Sequence, residues 1–391
     1  MRSSLEVADI FRSHGPAYRE SYGPTMPLRH VRAMRAIELC RTARLGGHVD
    51  KCDHCGALRV SYNSCRNRHC PKCQGLDKER WLEARKRDLL PTRYFHVVFT
   101  LPASLRPLAL RNQRALYNIL FRAASETLKT LTQDPRHLGA EVGFIAVLHT
   151  WSQTLIDHPH LHCIVTGGGL SPDETEWIPC KKDFFLPVKI ISRLFRGKFI
   201  AYLKQARQKG KLKFPGKIGH MKENGSFNNL VSELYKQEWV VYCKPPFSNA
   251  ETVMDYLGRY THRVAISNDR VVKMQGDQVT FRYRDRNDND TIKYMTLHAQ
   301  EFIRRFLMHI LPDGFMKIRH YGILSNRNRH TKLVEAKTLL GVKNPDTSQE
   351  AKETWQDLLT RITGRDPRIC PHCGKGRMVL KELLKPSALS P

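Results

Sequence analysis

Two histidines at alternate positions, His160 and His162 in the run DHPHLHCIV, leave a β-strand on one face and can grip a single metal ion. By itself such a pair is more often a polar strand face than a ligand set. Tyr256 and Tyr260, in TVMDYLGRYTHR, stand four residues apart, so a helix projects both hydroxyls from one side. A phenolate attacks phosphorus well, and a divalent ion on the imidazoles would neutralise charge on the phosphoryl oxygens. A metal-binding pair with two stacked phenols is a combination with a chemical purpose.

A strand-like run, FHVVFTLP at 95–102, precedes both pairs. In this order the three pieces resemble the HUH endonuclease superfamily, and within it the two-tyrosine rolling-circle transposases of the insertion sequence 91 family. Phe99-Thr100-Leu101 matches the first motif, His160-Leu161-His162 the second, and YLGRY at 256–260 the third. The likeness continues through YNSCRNRHCPKCQ at 62–74 and RHYGILSNR at 319–327. It implies an α+β fold, an HUH-type antiparallel sheet flanked by helices with the metal strand central. It also implies nicking and rejoining of single-stranded or extruded DNA ends, a 5′-phosphotyrosine with a free 3′-hydroxyl, and Mg²⁺ or Mn²⁺ as catalytic ion.

A third ligand in several members is an acidic or amide side chain seven or eight residues before the first histidine. Gln153 stands seven before His160 and is the choice here, with His149 and His158 as alternatives. A third imidazole would move the preference from magnesium towards manganese. Asp157 and His158 are candidates for orienting the ligands through hydrogen bonds.

The other metal signal lies near the amino end. Cys52 and Cys55 form one CxxC knuckle and Cys70 and Cys73 a second, with fourteen residues between them. Four thiolates at this spacing suit a structural zinc. Cys40, His48, Cys65 and His69 could supply a second, interleaved zinc. A lone knuckle, Cys370 and Cys373, is half a site, to be completed by His372, by Cys163, Cys180 or Cys243, or by nothing. With 11 cysteines, an odd number mostly near the amino end, metal thiolates in a reducing compartment fit better than disulfides.

Elements that could position these groups follow from periodicity. Residues 94–101, 142–150 and 159–166 read as strands, the last ended by Gly167-Gly168-Gly169. Residues 27–45, 105–131, 188–209 and 298–310 carry the helical period, and 269–283 and 291–297 alternate as hairpins do. This divides the chain into an amino-terminal zinc- and DNA-binding module (1–90), a catalytic domain (91–335) and a tail with a CxxC knuckle (336–391). A formal charge of +28 on 391 residues calls for a polyanionic partner, and nucleic acid is the commonest one. Arg66, Arg68, Arg259, Arg263, Arg319 and Arg327 are the candidate DNA contacts. No long apolar run or signal peptide core is visible, so the expected location is the cytoplasm, with no membrane partner. Oligomeric state is not readable. Other functions that would use parts of this set are a replication initiator or relaxase of the same superfamily, and a zinc-dependent DNA-binding regulator without catalysis.

Overall fold

The computed structural model describes residues 5–181, 183–247, 252–253, 256, 258, 265–285, 288–343 and 353–387. Two compact units emerge, one built from Met1–Trp81, His262–Ile310 and Thr347–Pro391, the other from Leu82–Thr261 and Leu311–Asp346.

In the first unit, helix Leu28–Leu39 buries Ala33, Met34 and Ile37. Its expected extension to residue 45 fails because Cys40 turns to extended backbone, φ −60° and ψ 124°. Strands β1 (Gly47–Cys52) and β2 (Leu58–Tyr62) form a hairpin. The tail expected to stand apart instead returns to this hairpin. Its strand, β12 (Met378–Leu384), pairs antiparallel with β1, giving the order β12-β1-β2. Pairing satisfies an edge that β1 would otherwise leave open. A second sheet, β8 (Val271–Gln275), β9 (Gln278–Asp285) and β10 (Thr291–His298), packs Phe281 against Phe302 of helix Ala299–Met308. Residues 271–308 therefore belong to this unit and not to the one holding the histidines.

The second unit is organised on one antiparallel sheet. Its strands are β3 (Tyr94–Thr100), β4 (Glu141–Trp151), β5 (Asp157–Leu170), β6 (Trp177–Pro179), β7 (Val241–Phe247) and β11 (Ile318–Gly322). The order is β11-β4-β5-β3-β7, with β6 along the far end of β5. As the resemblance implies, the histidine strand β5 is central. Side chains alternate across it. Phe95, Val97, Phe99, Phe144, Ala146, Leu148, Leu161, Cys163 and Val165 join the hydrophobic core with helices Gln113–Gln133 and Val188–Gln208. Phe99 meets Phe195 edge-on, ring centres 4.9 Å apart. Each such fully buried ring contributes on the order of 2–3 kcal/mol.

The glycine run does not end β5 as expected but lies inside it, where β6 pairs antiparallel with β5 and neighbouring chain comes too close for side chains. A Cβ on Gly168 would stand 2.6 Å from the Trp177 indole nitrogen. Gly322, in the RHYGILSNR stretch, has φ +59°, and a Cβ there would run into the Val142 carbonyl oxygen. Only glycine fits both demands. Among the described residues no helix is long and apolar enough to cross a membrane.

Candidate active site and metal centres

One sheet face is core, so its opposite face is fixed by parity. It carries His160 and His162 of β5, with Thr100 and Val98 of β3 opposite them on one side and His149 and Val147 of β4 on the other. His149 thus faces His160 directly. Donor atoms of His149, His160 and His162 all lie within 4.8 Å of one another. Ring centres are 4.7 Å apart for His149 and His162, and 4.8 Å for His160 and His162. His160 Nδ1 donates to the His158 carbonyl at 2.6 Å, which leaves Nε2 with the lone pair a metal needs. Three imidazoles suit manganese, zinc or another nitrogen-tolerant ion better than magnesium.

A fourth histidine completes the cluster, and sequence reasoning passed over it. His96 on β3 is 3% exposed, and its Nε2 lies 2.9 Å from His162 Nδ1. The Tyr256 hydroxyl is 2.7 Å from His96 Nε2 and 3.3 Å from His162 Nδ1. The structure therefore brings Tyr256 to the histidine pair from 94 residues away in sequence. Backbone at Thr252, Val253, Tyr256 and Gly258 is helical. Tyr260, Arg259 and Arg263 lie outside the described residues. A usable signal for His96 was present. It sits two residues before Val98 and four before Thr100, so period-two alternation puts it on the histidine face.

Of the other candidates for this site, Gln153 stands in the turn joining β4 to β5. Asp157 is 3% exposed, and its two oxygens accept no hydrogen bond among the described residues. It therefore does not orient the histidines by hydrogen bonds, as the sequence suggested. Burial pushes its carboxyl up to about 7, with the Arg106 charge pulling the other way.

Cysteines in the first unit gather in two quartets, and neither is the set read from the sequence. Cys70 and Cys73 join Cys40 and Cys65, while Cys52 and Cys55 join Cys370 and Cys373. The two amino-terminal knuckles separate because Cys52–Cys55 sits at the tip of the β1–β2 hairpin. Cys70–Cys73 folds back onto the end of helix Leu28–Leu39, with Cys40 Sγ 3.4 Å and Cys65 Sγ 3.5 Å from Cys73 Sγ. Sulfurs around one zinc stand about 3.8 Å apart, so the first quartet fits that ion with little movement. The four thiols share their mutual hydrogen bonds unequally, so that Cys40 and Cys73 are drawn down by their neighbours while Cys65 and Cys70 are pushed up. His48 and His69 stay out of both quartets. His48 Nε2 lies 3.6 Å from an Asp50 oxygen, and His69 Nδ1 3.3 Å from Asn67 Oδ1.

The arginines differ in what they can offer DNA. Arg66 and Arg327 are exposed, and Arg68 is half-buried. Arg66 also lines a cavity of about 1260 Å³ in the first unit with Arg41, Arg59, Lys72, Lys78 and Arg80. Arg319 is committed internally. Its guanidinium lies 4.0 Å over the Phe121 ring and donates to Asn118 Oδ1 at 2.6 Å.

Against known families, residues 10–101 match the one described as "Transposase zinc-binding domain". Residues 143–332 match the one described as "Putative transposase". The first range contains the quartet of Cys40, Cys65, Cys70 and Cys73. Among curated proteins the chain is 52% identical to "Putative transposase y4qJ" of Sinorhizobium fredii (strain NBRC 101917 / NGR234), over 98% of this chain and 96% of that one. It is 28% identical to "Transposase for insertion sequence element IS801" of Pseudomonas savastanoi pv. phaseolicola, over 89% of this chain and 82% of that one. No solved structure matches.

Proposed function

Since the chain belongs to the insertion sequence 91 family of transposases, we propose that it nicks and rejoins single-stranded DNA at element ends, through a 5′-phosphotyrosine, in rolling-circle transposition. What carries this reading is the Tyr256 hydroxyl held 2.7 Å from His96 and 3.3 Å from His162, on the face where His149, His160 and His162 converge.

In the proposed reaction Tyr256 Oη attacks the scissile phosphorus and the bond to the 3′ oxygen breaks. The products are a tyrosyl 5′-phosphate and a free 3′-hydroxyl. The phenolic proton passes to His96, the base nearest the hydroxyl, while the leaving 3′ oxygen takes a proton from water. When a 3′-hydroxyl later displaces the tyrosine, that hydroxyl gives its proton to water and His96 returns one to the phenolate. His160 and His162 would hold the catalytic ion with His149, one of the two alternatives read from the sequence, in place of Gln153, the choice made there. Manganese fits this donor set better than magnesium, and the bound ion would neutralise charge on the phosphoryl oxygens. Tyr260 is proposed as the second nucleophile, needed because strand transfer requires a second cut while the first strand is still attached. DNA phosphates are assigned to exposed cations such as Arg66 and Arg327.

The test is incubation of the protein with labelled single-stranded oligonucleotides carrying element ends, with Mn²⁺ or Mg²⁺, followed by denaturing gels. A metal-dependent covalent adduct is expected, lost in the Tyr256→Phe, Tyr260→Phe double variant. An adduct of undiminished yield in that double variant would remove the tyrosines from the mechanism. Tight DNA binding without adduct under either metal would leave a DNA-binding protein without strand-transfer chemistry.

A further inference from the structure

The quartet of Cys52, Cys55, Cys370 and Cys373 draws on both ends of the chain, and half of it lies far beyond the zinc-binding domain match at 10–101. From this geometry we infer that the protein carries a second structural zinc, which staples its carboxyl-terminal knuckle to its amino-terminal hairpin.

The two knuckles are built alike. Each reads Cys-x-x-Cys-Gly, Cys52 to Gly56 and Cys370 to Gly374, with the glycine in the left-handed region at φ +74° and +68°. Each glycine N–H returns to the carbonyl of the first cysteine, at 3.1 Å for Gly56 and 2.9 Å for Gly374. In both, a backbone N–H also points at sulfur, Cys55 N to Cys52 Sγ and Gly376 N to Cys373 Sγ, each at 3.4 Å. Amides aimed at sulfur stabilise the thiolate a metal requires. Across the two knuckles, Cys52 Sγ and Cys373 Sγ are 3.8 Å apart, and Cys55 Sγ and Cys370 Sγ 3.7 Å. That is the separation of about 3.8 Å expected for a tetrahedral zinc with bonds of 2.3 Å.

Backbone pairing delivers the knuckles to each other. β12 runs antiparallel to β1 from Gly47 opposite Leu384 to Cys52 opposite Met378. Beyond the strands, Asp53 N donates to the Arg377 carbonyl at 3.0 Å, and Arg377 N to Asp53 Oδ1 at 2.7 Å. Gly376 lies at the crossing, where a Cβ would stand 2.5 Å from Cys52 Sγ. With two sulfur pairs at ligand spacing, all four sulfurs within 4.8 Å of one another and a glycine clearing the approach, the site needs little rearrangement to close on an ion. His372, with Nδ1 4.0 Å from Cys55 Sγ, stays outside the tetrahedron.

The full-length chain supplies the test in two measurements. Replacement of bound metal by Co²⁺ in the parent should give sulfur-to-cobalt charge-transfer absorption for two tetrathiolate sites, and Cys370→Ser with Cys373→Ser should halve it. The histidine site adds no such band, so it does not confuse the count. Should the variant fail to fold, alkylation of the zinc-loaded parent with iodoacetamide, mapped by mass spectrometry, decides the matter. Cys370 and Cys373 should be protected as strongly as Cys40 and Cys73, and all four should label after chelation. Unchanged charge-transfer intensity in a folded variant, or rapid labelling of Cys370 and Cys373 while Cys40 and Cys73 stay protected, would overturn the inference.

Discussion

Asp157 opens the central strand as a carboxyl that is 3% exposed, with no hydrogen bond to either oxygen among the described residues. Burial lifts it from 3.8 to about 7. The folded state therefore holds this proton to a higher pH than the unfolded chain. Stability is fully present below pH 4, is lost as pH rises towards 7, and is level above that. A shift of this size costs the ionised folded protein roughly 4 kcal/mol, of which about 3 kcal/mol falls between pH 5 and pH 8. Asp157→Asn keeps the shape and removes the charge, so it should match the parent near pH 4 and exceed it at pH 8. Hydrogen exchange of amides in β5, corrected for intrinsic rates, reads this locally. Protection in the parent should fall by on the order of a hundredfold between pH 5 and pH 8, and in the variant it should hold. An equal loss in both proteins would refute the reasoning, since Asp157 would then ionise without cost.

Two further predictions separate the ligands from the base. His149→Ala should weaken Mn²⁺ binding at least tenfold by isothermal titration calorimetry, whereas Gln153→Ala should leave it within about twofold; the reverse order would restore the choice made from the sequence. His96→Gln should slow adduct formation by roughly a hundredfold or more and shift its pH profile. Mn²⁺ affinity should stay near that of the parent, and an unchanged rate would show that the phenol loses its proton elsewhere.

The parts of this site legible in the sequence are those that local geometry fixes. His160 and His162 share a face because a strand alternates with a period of two, whatever lies beside it. Their neighbours depend on register, which one sequence does not display. His149 meets His160 only because β4 and β5 pair as they do, and an offset of one residue would turn its imidazole into the core. The same holds for the cysteines. Each CxxC could be recognised as a half-site from spacing alone, but which halves meet is decided by β12 pairing with β1 across more than 300 residues of chain. Nearness in sequence suggested joining Cys52 and Cys55 to Cys70 and Cys73, and the strand pairing separates them.

Charge was the coarsest signal, and the structure shows why. A total of +28 makes a polyanionic partner a strong expectation, but it does not say which cations remain to meet one. Arg319 lies in an arginine-rich motif and faces the hydrophobic core side of β11, where Phe121 and Asn118 occupy its guanidinium. Arg85, in a cation-dense stretch, sits beside Asp88 at 3.1 Å, half-buried, and burial lowers its pKa. Such arginines are engaged within the protein, so their charge is less available to a phosphate. Exposed cations such as Arg66 and Arg327 carry no such duty in the packing, so their loss should flatten the salt dependence of DNA binding while leaving thermal stability in place.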